Sequence, residues 1–262
     1  MKNKNPRAYD ILGSIAIVRF PKKLKQKEKK VFAEKLLKKQ NSLKTVLEKY
    51  GKIKGRLRKI QTKYLAGIKT KEVLYRENSC VFRFNIDDTY FSPRLSNERK
   101  EIASKIKKSQ EILVMFAGVS PYSIVIAKNS KAKKVYSNEI NREANKYAQL
   151  NIELNKLKEK VELIPGDIKK ISGKIKKKFS VIVMPRPQLK DSFLKQAFSL
   201  SKKNTIIYYY DFCKDDEINL IIEKIKEEAK KSKKRIKILN KKVAGEIAPY
   251  KIRLRVDLRV LN

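Results

Sequence analysis

The feature that most constrains the fold is a regular alternation of short apolar runs with longer amphipathic runs after residue 98. The runs predicted as strands are Ile112–Phe116, Lys134–Ser137, Val161–Ile164, Ser180–Met184, Thr205–Tyr210, Arg235–Leu239 and Ile252–Val260. The runs predicted as helices are Arg99–Lys108, Ser120–Lys128, Asn141–Leu157, Leu189–Ser201 and Asp216–Lys231. Strands that alternate with helices in this way favour a mainly parallel sheet with helices on both faces. We therefore predict an α/β domain over residues 87–262.

The first 86 residues follow a different pattern. Ile11–Phe20 is a β-rich apolar run closed by Pro21, and a Lys-rich helical stretch follows from about Lys25 to Gln40. Short β-compatible runs come next, at Thr45–Leu47, Arg56–Ala66 and Val81–Ile86. This mixture predicts a small, basic α+β domain over residues 1–86.

Net charge is the strongest clue to a partner. The chain has 66 Lys and Arg against 27 Asp and Glu, a formal net charge of +39. Small soluble domains need only about 2–8 charges, and a larger surplus opposes a compact state by self-repulsion. Residues 1–85 carry 25 Lys and Arg against 6 Asp and Glu, so we expect this part to anchor a nucleic acid. A Lys-rich proteome encoded by an AT-rich genome is the alternative explanation.

The chain has two cysteines, Cys80 and Cys213, and no histidine. The common Cys/His zinc sites cannot be built from this set, and a reduced cytoplasm suits isolated cysteines. Acid–base chemistry must then use carboxylates, Lys or Tyr. No apolar run approaches the roughly 18 residues of a membrane span, and the polar N-terminus lacks a signal-peptide core. We expect a cytoplasmic protein without a membrane segment or a metal site.

Three successive predicted strands end in residues suited to a ligand. Gly118 follows the first, Glu139 the second and Asp167 the third. Parallel strands present their carboxyl ends at one edge, and open α/β sheets bind ligands in the crevice outside that edge. A carboxylate at the end of the second strand suits the hydroxyls of a ribose. The combination of the three residues favours an adenosine-containing ligand, and the lack of a phosphate-loop spacing argues against a polyphosphate. The turn at Gly118 taken alone could equally be an ordinary tight connection between a strand and a helix.

Several longer segments carry a family pattern. They are Tyr9–Val18, Tyr90–Arg99, Met115–Tyr122, Asn138–Asn141, Asn151–Lys156 and Tyr208–Phe212. Over nearly the whole chain they resemble the tRNA (guanine-37-N1) methyltransferases of archaea and eukaryotes. The resemblance implies a Rossmann-type class I methyltransferase domain, S-adenosylmethionine as cofactor, and a monomer acting on the anticodon stem-loop of tRNA. The family's further N-terminal domain, which grips the tRNA elbow, is not expected because the chain starts directly at Tyr9-Asp-Ile-Leu-Gly.

The resemblance also implies roles for individual residues. Glu98 would take the proton from N1 of guanine, and Arg58 would steady the negative charge that develops on O6. The implied cofactor-binding residues are Phe116, Gly118, Tyr122, Glu139, Asp167 and Pro185. The implied substrate-binding residues are Tyr90, Arg94, Arg99 and Pro187. Without the resemblance, Glu98 is a charge that suits a helix N-terminus, and Arg58 is a phosphate contact or a solvated strand residue.

The chain departs from the family pattern at four places. Val114 replaces an acid that many members carry, Ser120 replaces a glycine, and Arg142 replaces a proline. Pro185-Arg-Pro187 stands where many members have Asn-Leu-Pro. The first three changes affect the cofactor loop and the start of the next helix, and the last one removes an Asn that could contact guanine.

Four alternatives to methylation of guanine 37 stay open from the sequence. The wybutosine aminocarboxypropyl transferase is a close relative that uses the same cofactor, but its counterpart of Tyr208–Phe212 is usually His-rich, which favours methyl transfer here. Another RNA methyltransferase would share the same cofactor site. A non-enzymatic RNA-binding protein would explain the charge but not the acids at the strand ends. A small-molecule methyltransferase would not need a charge of +39.

Overall fold

The computed structural model describes residues 9–54, 57 and 59–262. The strands are β1 (Tyr9–Leu12), β2 (Ile15–Val18), β3 (Thr45–Lys54), β4 (Lys59–Gly67), β5 (Glu72–Glu77), β6 (Cys80–Asn85), β7 (Glu111–Met115), β8 (Lys134–Glu139), β9 (Val161–Pro165), β10 (Phe179–Met184), β11 (Ser201–Lys214), β12 (Ile236–Ala248) and β13 (Lys251–Val260). The α-helices are α1 (Gln26–Lys39), α2 (Ser96–Ser104), α3 (Pro121–Asn129), α4 (Arg142–Leu154), α5 (Ile168–Ile171), α6 (Leu194–Ser199) and α7 (Ile218–Lys231). Short 3-10 helices span Pro93–Leu95, Ser172–Lys174 and Asp215–Glu217.

The N-terminal part is a four-stranded sheet in the order β1-β2-β3-β4. The backbone N–H of Lys25 donates to the carboxylate of Glu28 at 2.8 Å, which satisfies an amide at the start of α1. Ala33 and Leu36 on that helix are buried, in one apolar cluster with Ala16, Val18 and Val46 of the sheet. This is the small α+β unit that the sequence predicted, although its proposed limit at residue 86 stays a prediction.

The β-rich apolar run over Ile11–Phe20 contains a turn. It is a hairpin of β1 and β2 in which Leu12 pairs with Ile15. Gly13 has φ +56°, and a Cβ there would lie 2.2 Å from the carbonyl oxygen of Leu74. Only glycine combines this backbone conformation with so close an approach, so the glycine turns the chain inside an otherwise continuous apolar run.

The C-terminal part is a seven-stranded sheet in the order β12-β13-β11-β10-β7-β8-β9. The five strands from β11 to β9 in this order pair in parallel, and β13 pairs antiparallel with both β11 and β12. Strand order reverses beside β7, which places a crevice at the carboxyl ends of β7 and its two neighbours. The α/β fold predicted from the alternation is confirmed.

Each face of this sheet has its own apolar core. Ile112 and Val114 of β7 belong to one cluster with buried residues of α3 and α4, whereas Leu113 and Met115 belong to another with residues of α6 and α7. Successive side chains on a strand point to opposite faces, so a fully apolar strand requires helices on both sides. The same alternation separates Tyr209 from Tyr210 on β11.

Three elements differ from the sequence prediction. β5 was missed, because its charged residues interrupt the apolar pattern. β12 extends to Ala248 rather than Leu239, and most of its residues are exposed, so it carries little apolar signal. The helix predicted over Leu189–Ser201 is only α6, because the backbone before it is held in a loop. In the parts of the chain described here, no helix is long and apolar enough to cross a membrane.

Candidate functional site

A cleft opens at the carboxyl ends of β7, β8, β9 and β10. It is lined by Tyr90, Phe91, Ser92, Leu95, Arg99, Phe116, Ala117, Gly118, Pro121, Tyr122, Asn138, Glu139, Ile140, Asn141, Ala144, Gly166, Asp167, Ile168, Pro185, Pro187, Leu189, Tyr210 and Arg253, with Leu57 at its side. The turn between β7 and α3 forms one wall and the segment before α2 forms another. Residues far apart in sequence therefore meet around one space.

Glu139, the last residue of β8, organises one half of the cleft. Its carboxylate accepts backbone hydrogen bonds from Gly118 at 2.8 Å, from Ile140 at 2.9 Å and from Asn141 at 2.8 Å. A carboxylate has about four acceptor positions, so three backbone donors still leave room for a ligand hydroxyl. Burial raises the pKa of Glu139 above its usual range, against the lowering effect of the three backbone donors.

The surroundings of Glu139 fit an adenosine group. Ile140 and Ile168, which follow Glu139 and Asp167 in sequence, give the cleft apolar surface. Gly118 has φ +59° and brings its backbone to the cleft surface without a side chain. A ribose could hydrogen-bond to the carboxylate while a purine ring packs against the two isoleucines.

The other half of the cleft contains Tyr210, whose side chain is buried on β11. Its hydroxyl donates to Glu98 at 2.6 Å. Glu98 has 5% of its surface exposed and is not one of the residues that line the cleft. The ring of Tyr122 lies edge-on to the ring of Tyr210, with 6.1 Å between their centroids. Tyr210 therefore stands between Glu98 and the cleft.

A buried group of charges holds Glu98 in place. Arg255 of β13 donates to Glu98 at 2.5 Å, to Asp257 at 2.7 Å and to Glu101 at 2.8 Å. Lys242 of β12 pairs with Glu98 at 3.5 Å and also with Glu101. Burial alone would raise the pKa of Glu101, but hydrogen bonds from Arg255 and Lys242 outweigh it and lower that pKa to about 2. Three carboxylates and two cations thus tie α2 to the C-terminal hairpin.

The loop after β10 is fixed by Arg186, which has 2% of its surface exposed. Its guanidinium pairs with Asp211 and donates to the carbonyl oxygens of Pro187, Leu189 and Asp191 at 3.0–3.2 Å. The ring of Tyr209 lies beneath the guanidinium, with 5.5 Å from its centroid to the Arg186 carbon. One buried arginine therefore shapes the loop that brings Pro185, Pro187 and Leu189 to the cleft.

Arg99 has a structural environment of the same kind. It forms a buried ion pair with Glu77 and donates to the carbonyl oxygen of Ser92 at 3.0 Å. Its guanidinium lies over the rings of Phe91 and Tyr122 at 5.0 and 5.8 Å. Part of its surface reaches the cleft, but its hydrogen bonds hold the segment before α2.

A second, wider cleft continues from the first. The two share Tyr90, Phe91, Ser92, Leu95 and Arg253. The second cleft extends between the N-terminal sheet and the hairpin of β12 and β13, and its cationic lining residues are Arg19, Lys49, Arg94 and Arg253. Arg94 also pairs with Asp10 at 2.8 Å. A basic groove thus leads from the N-terminal part to the cleft.

The structure brings together most of the residues selected from the sequence. The first cleft is lined by Phe116, Gly118, Tyr122, Glu139, Asp167, Pro185, Tyr90, Arg99 and Pro187. Arg94 lies in the second cleft, and Glu98 lies behind Tyr210. Arg58 lies outside the described residues.

Sequence reasoning missed three residues of this arrangement. Tyr210 lies in Tyr208–Phe212, one of the segments that carry the family resemblance, but no role was predicted for it. Arg255 and Arg253 come from the last strand, and only the antiparallel pairing of β13 with β11 brings them to the site. The opposite-charge pattern of Arg255 and Asp257 was the only local signal, and it did not indicate a contact with residues 98 and 101.

Comparison with known proteins agrees with this geometry. A family model described as the TRM5/TYW2 methyltransferase domain matches residues 73–239, and one described as the TYW2 N-terminal domain matches residues 1–70. The tRNA (guanine(37)-N(1))-methyltransferase Trm5b of Pyrococcus abyssi is 33% identical over 97% of this chain and 75% of its own length. Its crystal structure superposes with a TM-score of 0.87, covering 98% of this chain and 76% of that one.

Two other proteins extend the comparison. The tRNA (guanine(37)-N(1))/4-demethylwyosine(37)-methyltransferase Taw22 of Nanoarchaeum equitans is 31% identical over 97% of this chain and 100% of its own length. The solved complex of aTrm5 with tRNALeu is 29% identical, with a TM-score of 0.84 over 98% of this chain and 72% of that one. With the methyltransferase model covering more than half of the residues, the chain belongs to the TRM5/TYW2 methyltransferase family.

Proposed function

We propose that this protein transfers a methyl group from S-adenosylmethionine to N1 of guanosine 37 in the anticodon loop of tRNA. The observation that carries the proposal is the cleft at the strand ends, where a cradle suited to adenosine around Glu139 adjoins a deep space beside Tyr210. A family of tRNA methyltransferases provides the context, and a net charge of +39 suits a polyanionic substrate.

S-adenosylmethionine would supply a methyl group bonded to a sulfonium sulfur. When the methyl group is transferred, the sulfur keeps the bonding electrons and becomes a neutral thioether. Glu139 accepts hydrogen bonds from the ribose hydroxyls, and Gly118 lets the cofactor approach the backbone. We assign Asp167, next to Ile168 in the cleft lining, to the adenine edge. We assign Phe116, Tyr122 and Pro185, which also line the cleft, to the part of the cofactor that carries the methyl group. These assignments rest on position around one cleft.

The target base enters on the side of Tyr90 and Pro187. Neutral guanine carries a proton on N1, so methyl transfer needs a proton acceptor and a donor near O6. We assign the final proton acceptance to Glu98, and Arg58 to O6. Arg94, in the second cleft, contacts the phosphate backbone, while Arg99 supports the segment that carries Tyr90.

The tRNA lies across both clefts in this proposal. Residues 1–86 bind the anticodon stem-loop and residues 87–262 carry the catalytic site, because the basic groove joins the two parts. The protein acts as a monomer in this proposal. The free, buried thiols of Cys80 and Cys213 fit the reducing cytoplasm, where tRNA is modified.

Isotope labelling tests the reaction type. The protein is incubated with tRNA that carries guanosine 37 or with tRNA that carries a wybutosine precursor there. The S-adenosylmethionine is labelled either in the methyl group or in the aminocarboxypropyl carbons, and the nucleosides are resolved by mass spectrometry. We expect label in a methylguanosine from the first cofactor only. Label from the second cofactor would show the aminocarboxypropyl transferase instead, and no label from either would contradict both.

A second candidate substrate is 4-demethylwyosine at the same position. The match to Taw22, which covers that relative completely and 97% of this chain, favours it. The same labelling experiment on tRNA that carries 4-demethylwyosine tests it. Methyl label in the tricyclic base of this tRNA, as well as in guanosine 37 of the tRNA without it, would show that the cleft accepts both bases. Label in guanosine 37 alone would exclude the second substrate.

A further inference from the structure

We infer that Tyr210 is a catalytic residue that passes the N1 proton of guanine to Glu98. This inference rests on the proposed function. The geometry behind it is a buried tyrosine that lines the cleft with one side and donates a 2.6 Å hydrogen bond to Glu98 with its hydroxyl. Glu98 itself is behind the cleft surface, so a base in the cleft meets Tyr210 first.

The position of Glu98 is fixed by several contacts. Arg255 has no exposed side-chain surface and holds the carboxylate at 2.5 Å, and Lys242 adds a contact at 3.5 Å. Rotation of Glu98 toward the cleft would break these contacts and leave Arg255 with less compensation in a buried site. A relay through Tyr210 needs no such movement.

The hydroxyl of Tyr210 has the right hydrogen-bonding polarity for guanine. A tyrosine hydroxyl has one donor and two acceptor positions, and the donor is used on Glu98. The buried Tyr122 hydroxyl interacts with that of Tyr210 and takes one of its acceptor positions. The position that remains can only accept, so it suits the N1–H of guanine and opposes the N1 lone pair of adenine. The same contact therefore selects the base and accepts its proton.

The transfer balances in protons and electrons. The N1–H bond of guanine breaks as its proton bonds to the Tyr210 oxygen, and the original Tyr210 proton moves to Glu98. The freed N1 electron pair forms the bond to the transferred methyl carbon. Tyr210 ends neutral, and Glu98 ends as a carboxylic acid that later releases its proton to solvent.

The properties of Tyr210 agree with a relay rather than a stable tyrosinate. Burial, and then the neighbouring Tyr122 and Glu98, raise the pKa of Tyr210 well above its usual value. The hydroxyl is therefore protonated both before and after it exchanges one proton for another. Glu98, which Arg255 and Lys242 keep close, is the acceptor at the end of the chain.

Single-turnover rates with saturating cofactor and tRNA test the relay. Tyr210→Phe should slow methyl transfer by about 10²-fold or more, the usual worth of general acid–base catalysis. Glu98→Gln should cause a loss of similar size, and the double variant should be no slower than the worse single one, because both remove one pathway. Both defects should shrink as pH rises, since solvent then removes the N1 proton.

Tyr208→Phe is the matched control. It removes a tyrosine hydroxyl from the same face of the same strand, and Tyr208 does not line the cleft. Its rate should stay within a few-fold of the parent. A Tyr210→Phe variant that is equally fast, or losses from Tyr210→Phe and Glu98→Gln that multiply in the double variant, would overturn the relay.

A binding measurement gives a readout that does not depend on turnover. With S-adenosylhomocysteine present, the parent should bind tRNA with guanosine at position 37 more tightly than the same tRNA with adenosine there. Tyr210→Phe should reduce that preference by about three- to tenfold, the worth of one hydrogen bond. An unchanged preference would contradict contact between Tyr210 and the base. A parent that methylates no guanosine would instead refute the proposed function.

Discussion

Glu139 gives the clearest single-residue prediction, because its carboxylate already orders three backbone amides and faces the cradle. Glu139→Ala should weaken S-adenosylmethionine binding by about 1.5–3 kcal/mol, the range for hydrogen bonds to a charged group. Calorimetry measures this directly. Glu143→Ala, on the first turn of α4 outside the cleft, is the control and should leave affinity unchanged. Equal affinity in both variants would remove Glu139 from the cofactor site.

The same residue predicts a pH dependence. Burial raises the pKa of Glu139, and the ribose hydroxyls need the ionised carboxylate as acceptor. Cofactor affinity should therefore be complete at neutral pH and fall as the pH drops through that raised pKa, above the range of an ordinary glutamate. Calorimetric titrations across the acidic range measure the midpoint. The assignment would be contradicted if affinity fell only at the pH where an exposed glutamate titrates. It would also be contradicted if Glu139→Ala showed the same pH dependence as the parent.

Some site residues follow from sequence and others do not. Glu139 and Asp167 could be predicted because residues that end parallel strands meet at one edge. The bond between Glu98 and Tyr210 joins positions 112 residues apart, and its partner Arg255 arrives from the last strand. Such a cluster depends on tertiary packing, so the family resemblance implied Glu98 as the base, but nothing in the sequence gave a role to the tyrosine that contacts it.

The loop between β10 and α6 predicts a stability effect that depends on a buried ion pair. Arg186→Met leaves Asp211 without its main partner and should lower the free energy of unfolding by about 3–5 kcal/mol. Denaturant unfolding measures this loss. Adding Asp211→Asn should recover stability, but not turnover, because the three loop carbonyls still lack their donor. Arg235→Met, at an exposed position, is the control and should change the free energy of unfolding little. An equally small change for Arg186→Met would show that Arg186 does not hold the loop.

Elements with a strong apolar period were predictable, and weakly patterned ones were not. β7 and β10 are continuous apolar runs, so their place in a covered parallel sheet followed from composition. β12 was predicted too short because its exposed residues show no buried face. α6 was predicted too long because nothing local shows that Arg186 binds the carbonyls before it.

Electrostatic attraction should govern how the protein binds tRNA. The logarithm of affinity should fall with the logarithm of salt concentration, by roughly 0.7–0.9 for each phosphate neutralised. Replacing Arg19 and Lys49 of the second cleft by Gln should flatten that slope. Replacing Lys226 and Lys230 of α7 removes the same charge at a distance and should change it less. Equal slopes for both pairs would show that the groove does not hold the tRNA.

The central claim is methylation of one atom at one position, and a pair of transcripts tests it most directly. Two tRNAs that differ only in guanosine or adenosine at position 37 are incubated with the protein and methyl-labelled S-adenosylmethionine, and their nucleosides are separated by mass spectrometry. We expect stoichiometric 1-methylguanosine from the first transcript and no methylated nucleoside from the second. Equal labelling of both transcripts, or methylation of guanosine at any atom other than N1, would contradict the account.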